Sequence, residues 1–187
     1  MKKQLVFGYL ILVLAASVSA QGAPTPKSGD LGLGASVSTT ANTALVFYHL
    51  SDSLMLAPQV GFFYRNFADT SGGVTTNYPG TWFDVGLGLY WVLRPFESLS
   101  FQVGPSLEIA SESYQNEGST DNLQFTYWTL NLNARVLAMI TKNLGVFTTF
   151  GVYYYSQDTK DTTTAVDSTK TGLGVQSLSL GVAYYFK

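Results

Sequence analysis

Apolar and polar residues alternate along most of this chain, and the alternation is most regular in its last segment. Residues 176–186 read QSLSLGVAYYF, in which the apolar residues at every second position are Leu178, Leu180, Val182, Tyr184 and Phe186. Most of the positions between them hold Ser, Gly or Ala. Because successive side chains of a β-strand point to opposite faces, this segment predicts a strand with one apolar face and one small or polar face.

The same period recurs along the chain and predicts an all-β protein of eight strands. The predicted strands are approximately 30–39, 43–50, 54–67, 81–93, 99–113, 124–141, 144–157 and 171–186. Short turns alternate with long polar loops, predicted at 68–80, 113–123 and 157–170; only the link 39–42 is short where a long one is expected. Short turns at one end and long loops at the other are typical of outer-membrane barrels.

The composition of the two faces indicates which one points inward. In strand four the apolar face runs from Phe83 to Leu93, and Asp84, Gly86 and Gly88 lie on the opposite face. A water-soluble barrel would pack the apolar face inside and expose the polar one. Here the other face consists mainly of Gly, Ser, Thr and Asn. Packed inside a soluble barrel together with the apolar face outside, these residues would leave the core hollow and its polar groups unpaired. An outward apolar face therefore favours a barrel surrounded by lipid.

Aromatic residues lie near both ends of the predicted apolar faces. Because amphipathic rings favour the two membrane interfaces, they predict aromatic girdles. The outer girdle is predicted to contain Tyr64, Phe83, Trp128 and Tyr154, and the periplasmic girdle Tyr48, Trp91, Tyr184 and Phe186.

On these features the chain resembles the small outer-membrane barrels typified by outer membrane protein X and the transmembrane domain of outer membrane protein A. The resemblance covers residues 30–187 and implies an eight-stranded antiparallel up-and-down transmembrane β-barrel, expected to be monomeric, in contact with outer-membrane lipid and lipopolysaccharide. The terminal pattern Leu178, Leu180, Val182, Tyr184 and Phe186 looks like the signal that the barrel-assembly machinery reads after periplasmic chaperones deliver the chain. Here Lys187 follows the terminal aromatic, which is a departure from the usual pattern.

The first twenty residues predict a cleaved signal peptide. Lys2 and Lys3 precede the apolar stretch 5–16, and Val18-Ser19-Ala20 is a small-residue cleavage site after Ala20. The apolar stretch is shorter than the ~20 residues that a spanning helix requires. We therefore expect a signal peptide at 1–20, a periplasmic linker at 21–29 and an outer-membrane barrel at 30–187.

Charge and residue usage narrow the function classes. Without the signal peptide, the chain has eight Lys and Arg against twelve Asp and Glu, so its net charge is negative. A negative net charge indicates no nucleic-acid partner. There is no cysteine and one histidine, His49, so the sequence predicts neither an enzyme nor a metal site or cofactor. Loop acids such as Asp158 are expected to be solvated.

Five charged residues share the predicted inward face and form the candidate site. An eight-stranded barrel is about wide enough for side chains to fill, so these groups are expected to form a polar network that plugs the lumen. Arg65 and Asp84 are the favoured pair, whereas contact of Arg135 with Glu108 depends on the strand stagger. The predicted network is Arg65, Asp84, Glu108, Glu112 and Arg135.

Three functions follow from this sequence. The favoured one is a structural or surface-interaction barrel that acts through its extracellular loops. A narrow conduit for small, including hydrophobic, solutes is the alternative, and a soluble secreted ligand-binding barrel is the third. Pro58 and Pro105 lie within predicted strands, where we expect bulges or a local loss of pairing because proline lacks the N–H donor.

Overall fold

The computed structural model describes residues 23–38, 42–71, 74–115, 122–161 and 167–186, so the predicted signal peptide lies outside the described residues. Eight antiparallel strands form a closed barrel in chain order, and the last strand pairs with the first. The predicted up-and-down barrel is thereby confirmed. The strands are β1 (Leu31–Val37), β2 (Asn42–Ser51), β3 (Leu54–Ser71), β4 (Val74–Phe96), β5 (Leu99–Gln115), β6 (Asn122–Met139), β7 (Leu144–Asp161) and β8 (Asp167–Phe186).

No helix in the part of the chain that the structure describes is long and apolar enough to cross a membrane.

The two ends of the barrel differ in their connections. At one end, here called the turn end, short turns link β2 to β3, β4 to β5 and β6 to β7, and β1 begins and β8 ends there as well. At the other, the loop end, residues 116–121 of the predicted loop 113–123 lie outside the described residues. The prediction of a loop at 68–80 was wrong, because β3 continues to Ser71 and β4 begins at Val74. Most of the predicted loop 157–170 is likewise strand. These segments are polar on both faces, but their Thr, Val and Tyr residues favour strands and the ladder continues.

Both prolines interrupt the ladder on one side, as expected. Pro58 pairs with Leu87 of β4, but β2 has no partner opposite Pro58, although the register on either side is unchanged. Pro105 pairs with Leu132 of β6 and has no partner in β4. Each proline therefore costs ladder bonds toward one neighbour only and introduces no bulge.

A β-bulge in β8 was not predicted. Thr149 pairs with Ser179 and Gly151 with Gln176, so β8 holds one extra residue between these pairs. The apolar outward positions accordingly change from Leu173 and Val175 to the even-numbered residues of the terminal pattern. This change of parity is visible in the sequence and would have located the bulge.

The outer surface of the barrel is a band of exposed apolar side chains, as the alternation predicts. Leu87, Leu107 and Leu132 are each about half exposed. Val136 and Ala138 share the outward parity but are 8% and 2% exposed, because Leu99 and neighbouring outward side chains cover them. An apolar band of this extent is expected on a membrane barrel and unusual on a soluble monomer.

Candidate functional site

The half of the lumen at the turn end is filled by large side chains. Phe47, Phe147 and Tyr185 form a ring cluster with centroids 5.5–5.9 Å apart, and Tyr90, Met55 and Leu137 complete the buried core. The rings lie over glycines of neighbouring strands: Tyr185 covers Gly32, Phe47 covers Gly34, and Phe147 covers Gly181. The inward glycines therefore make room for aromatic rings and leave no hollow in this half.

Arg135 lies on the inner side of this filled half, against its aromatic rings, and is 2% exposed. Its Nε donates to the Thr149 hydroxyl at 3.0 Å, and its Nη1 donates to Gln102 Oε1 at 3.5 Å. Its guanidinium carbon is 4.8–5.2 Å from the ring centroids of Phe47, Tyr90 and Phe147. Three aromatic faces thus take the place of a carboxylate partner, and such contacts are worth up to ~2 kcal/mol each when water is excluded.

The segment 23–30 lies across the turn end of the barrel and contacts its rim and core. Arg94 Nε donates to the Pro26 carbonyl oxygen at 3.1 Å, and the Thr25 amide donates to the Glu97 carbonyl. Thr25 and Pro26 are buried, and Ala23 packs on the core cluster. Because Arg94 and Glu97 lie at the β4–β5 turn, the segment bridges from that turn to β1.

The other half of the lumen, at the loop end, contains a cavity of about 490 Å³, called the loop-end cavity below. Its lining includes three of the predicted acids, Asp84, Glu108 and Glu112, with Arg135 at its floor. Aromatic residues from four strands form part of the wall, and they are Phe63, Trp82, Tyr127, Tyr153 and Tyr155. A volume of this size is within the ~300–1,000 Å³ of small-molecule sites.

Each acid of the loop-end cavity accepts a hydrogen bond from a neighbouring side chain. Trp82 Nε1 donates to Asp84 Oδ2 at 3.0 Å, and the Tyr127 hydroxyl donates to Glu112 Oε2 at 2.9 Å. The rings of Trp82 and Tyr127 are themselves 5.1 Å apart. Two carboxylates are thus held at the edges of one aromatic pair, and the third is held separately.

Glu108 belongs to a chain of side-chain hydrogen bonds and accepts from both Ser106 and Gln59. The Ser106 hydroxyl donates to Glu108 Oε1 at 3.2 Å and accepts from Asn131 Nδ2 at 3.1 Å and Asn133 Nδ2 at 2.9 Å. Since the only proton of Ser106 goes to the carboxylate, the serine oxygen must accept from both amides, which orients Asn133. Asn133 Oδ1 then has no hydrogen-bond partner.

Glycines on adjacent strands make space for two of the acids. Asp84 lies opposite Gly61 of β3, and the Glu108 side chain lies over Gly86 of β4. A Cβ at Gly61 would overlap the Asp84 carboxylate. The sequence placed these acids on the inward face but gave no sign of the glycine beside each one, since that contact depends on the strand register.

The predicted network is only partly brought together. Asp84, Glu108 and Glu112 share the loop-end cavity, but Arg135 donates to Thr149 and Gln102, neither of which was predicted. The backbone of Arg65 pairs with Gly80, four residues beyond the Gly61–Asp84 pair, and its side chain lies outside the described residues. The predicted Arg65–Asp84 contact therefore stays a prediction.

His49 lies in the filled half of the lumen and away from the loop-end cavity. It is buried, and its ring centroid is 5.9 Å from that of Tyr185. No group of three or more His, Asp or Glu among the described residues is placed to hold a metal ion.

The predicted girdle residues are on the outward face. All eight have exposed side chains. At the loop end the rings of Trp128 and Tyr154 are 5.6 Å apart, and at the turn end those of Tyr184 and Phe186 are 5.3 Å apart. The girdles as membrane anchors stay a prediction.

The barrel wall is uneven because β1 and β2 are short. β1 pairs with β8 only up to Val37–Leu180, and β2 begins opposite Phe62 of β3. Nearer the loop end, β8 and β3 therefore have a described strand partner on one side only. Leu173 and Val175 on this part of β8 are 84% and 78% exposed, against 36–63% for the other exposed large apolar side chains. We call this region the wall gap.

Comparison with known proteins shows what kind of barrel this is. No protein-family model and no curated protein matches the chain. Among solved structures, a major outer membrane protein from Thermus thermophilus is similar with a TM-score of 0.55 and 16% identity, over 84% of this chain and 98% of that one. Neisserial surface protein A is similar with a TM-score of 0.51 and 16% identity, over 84% and 94%.

At such identities the similarity shows the fold. The fold is that of the small outer-membrane β-barrels, which the sequence resemblance to outer membrane protein X and outer membrane protein A implied.

Proposed function

We propose that this protein is an integral outer-membrane barrel with a surface-interaction role, acting through its loop end while its turn end is closed. The observation that carries the proposal is the division of the lumen. Arg135 and its aromatic neighbours fill one half, and the segment 23–30 covers that end. The other half keeps a cavity of about 490 Å³.

The proposed orientation follows from the strand number. An even number of strands returns both termini to one side, which is the periplasmic side in bacterial barrels. The hairpins at the loop end would then face outward. From Tyr154 to the end of β7 at Asp161 is seven residues, or ~23 Å of strand, beyond the predicted outer girdle. These hairpins offer a large surface for contact.

The remaining partners belong to this proposal as well. Lipid and lipopolysaccharide would contact the apolar band, and periplasmic chaperones and the barrel-assembly machinery would act on β8 during insertion. We propose a monomer, because barrel closure gives every strand two partners within the chain over part of its length, and the closed part of the wall needs no second copy.

The proposal is tested by conductance. Refolded residues 21–187 would be reconstituted in planar bilayers, with the heat-dependent gel shift as a check of folding. We expect a gel shift without steady conductance. Reproducible openings that change with Arg135→Ala, but not with the exposed turn variant Lys142→Ala, would show a conducting lumen and contradict the proposal.

A conduit for small hydrophobic solutes is the second candidate, and the wall gap favours it. A lateral path from the loop-end cavity to the lipid would pass between β8 and β3, beside Val175, which lines the cavity. Uptake of a small apolar dye into cells or liposomes that carry the barrel distinguishes the two. Uptake that exceeds that of barrel-free controls would favour the conduit.

A further inference from the structure

We propose that the loop-end cavity binds an organic cation that carries N–H donors and an aromatic or alkyl group. This inference rests on the proposed function, because the cavity serves an external ligand if the turn end is closed. Three features of the cavity support it: its charge, its wall and its unused hydrogen-bond acceptors.

The charge of the lining favours a cation. Asp84, Glu108 and Glu112 line the cavity, and Arg135 is the one basic side chain among the described lining residues. The Arg135 guanidinium is already engaged by two hydrogen bonds and three rings at the floor. A carboxylate has about four lone-pair sites, so the donors Trp82 and Gly61 at Asp84, and Ser106 and Gln59 at Glu108, leave acceptor capacity on these two acids for a ligand.

The wall favours a cation with an apolar part. The Trp82–Tyr127 pair lies between the carboxylates of Asp84 and Glu112, because each ring donates to one of them. Tyr153 and Tyr155 stand on β7 with centroids 6.0 Å apart. Aromatic faces beside carboxylates attract ammonium and guanidinium groups through the ring quadrupole and the opposite charge together.

The unused acceptors call for a ligand with N–H donors. Asn133 is 2% exposed, lines the cavity, and has its Oδ1 without a partner. Its orientation is set by Ser106, whose proton is committed to Glu108. Gln176 Oε1, at the β8 bulge and also on the cavity wall, is unpartnered too. Both oxygens lie within the wall, Asn133 Oδ1 beside Gly151, so a turn of each amide toward the cavity would let a donor-bearing ligand satisfy an acceptor that is costly to leave unpaired.

These features also exclude other ligand classes. An anion would face three carboxylates, and a purely apolar molecule would leave the orphaned amide oxygens unpaired. A bare metal ion is not favoured, since the described residues contain no group of three or more His, Asp or Glu placed to hold one. A primary amine or amidine on an aromatic ring matches all three features: its positive charge suits the acids, its ring suits the aromatic wall, and its N–H groups suit the acceptors.

The test compares four probes of similar size on refolded residues 21–187 in detergent micelles. Benzylamine carries the charge, ring and N–H donors, whereas benzyltrimethylammonium lacks the donors, benzyl alcohol lacks the charge and benzoate reverses it. Trp82 is the reporter, in a background with Trp91→Phe and Trp128→Phe, because those two tryptophans lie on the outward face. We expect saturable quenching by benzylamine, weaker binding of benzyltrimethylammonium and benzyl alcohol, and none by benzoate.

Variants then locate the site. Glu108→Gln and Glu112→Gln should each weaken benzylamine binding by about tenfold, since each replaces an acidic group of the cavity wall with a neutral amide. Asp158→Asn is the matched control, because Asp158 is an exposed acid on β7 outside the cavity. The gel shift of every variant reports folding.

Several results would overturn the inference. These are absence of saturable benzylamine binding to a folded barrel, equal binding of benzoate, or unchanged binding in both folded Glu→Gln variants. Failure of the proposed function is a separate result. A barrel that conducts steadily and still binds benzylamine as described would contradict the closed lumen but keep the cation site. A closed barrel without cation preference keeps the proposed function and loses this inference.

Discussion

Arg94 at the end of β4 donates its Nε–H to the Pro26 carbonyl oxygen at 3.1 Å, which joins the N-terminal segment to the far side of the barrel opening. The Thr25 amide and the Glu97 carbonyl add a second bond between the same segment and the β4–β5 turn. Residues 21–29, expected to be a linker, thus include a described part that acts as a cover. Its contacts are polar at the rim and apolar toward the core, where Ala23 packs.

Arg94→Ala should loosen this cover without unfolding the barrel. Because a half-exposed hydrogen bond to a charged donor contributes on the order of 1 kcal/mol, the amide of Thr25 should exchange with solvent several-fold faster. Hydrogen–deuterium exchange with peptide resolution measures this. Lys142→Ala, at another turn of the same end, is the control. Unchanged exchange over 23–30 would mean that Pro26 is held by packing alone.

Replacing Arg135 should depend on the volume of the new side chain more than on its charge. Arg135→Ala leaves a void among Phe47, Tyr90 and Phe147, and we expect a loss of about 3 kcal/mol in the free energy of unfolding. Arg135→Met fills much of that void and removes a buried cation that has no carboxylate partner, so its loss should be about 1 kcal/mol. Urea unfolding followed by the gel shift measures both. Equal losses for the two variants would point to the charge.

Gly104→Ala should be among the most destabilising single-methyl changes in the barrel. Its Cβ would overlap the backbone carbonyl of Leu89, which cannot turn aside, beside the gap that Pro105 leaves in the ladder. We expect a loss of about 2–3 kcal/mol. In the control, Gly172→Ala, the Cβ meets the Tyr155 ring at 2.7 Å, and that ring is free to move toward the cavity. A similar loss in both variants would refute this reasoning.

The two parts of β8 should differ in amide protection. Residues 180–186 lie between β7 and β1, whereas residues 168–176 have a described partner only in β7. Every second amide of residues 168–176 should therefore exchange with solvent at least tenfold faster than the amides of residues 180–186, because the amides that point away from β7 have no ladder acceptor. Residue-resolved NMR exchange in micelles tests this. Uniform protection along β8 would show that something covers the wall gap.

Much of this fold follows from local sequence pattern. The parity of Phe83, Val85 and Leu87 predicts the lipid face, and the charges of Asp84 and Glu108 on the opposite parity predict lumen positions, because side-chain direction in a strand depends on position alone. Turn residues predict where the strands reverse. The strand ends at the loop side were predicted poorly, because polar Thr-rich hairpins and loops have the same composition.

What the tertiary structure decided are the contacts between strands far apart in sequence. The sequence left open whether Arg135 reaches Glu108. In the structure Arg135 contacts Phe47, Tyr90 and Phe147, since barrel closure brings β2, β4 and β7 around one point of β6. The cover over the turn end depends in the same way on where the β4–β5 turn lies relative to β1.

The sequence by itself determined the number of strands, the outward face and the lumen positions of Asp84, Glu108, Glu112 and Arg135, all of which depend on an alternation of period two. Only the tertiary structure decided that one half of the lumen is filled and the other hollow. That division depends on register and stagger, which set whether a ring such as Tyr185 lies over a glycine such as Gly32. How completely the side chains of different strands fill the lumen is set only when the barrel is closed.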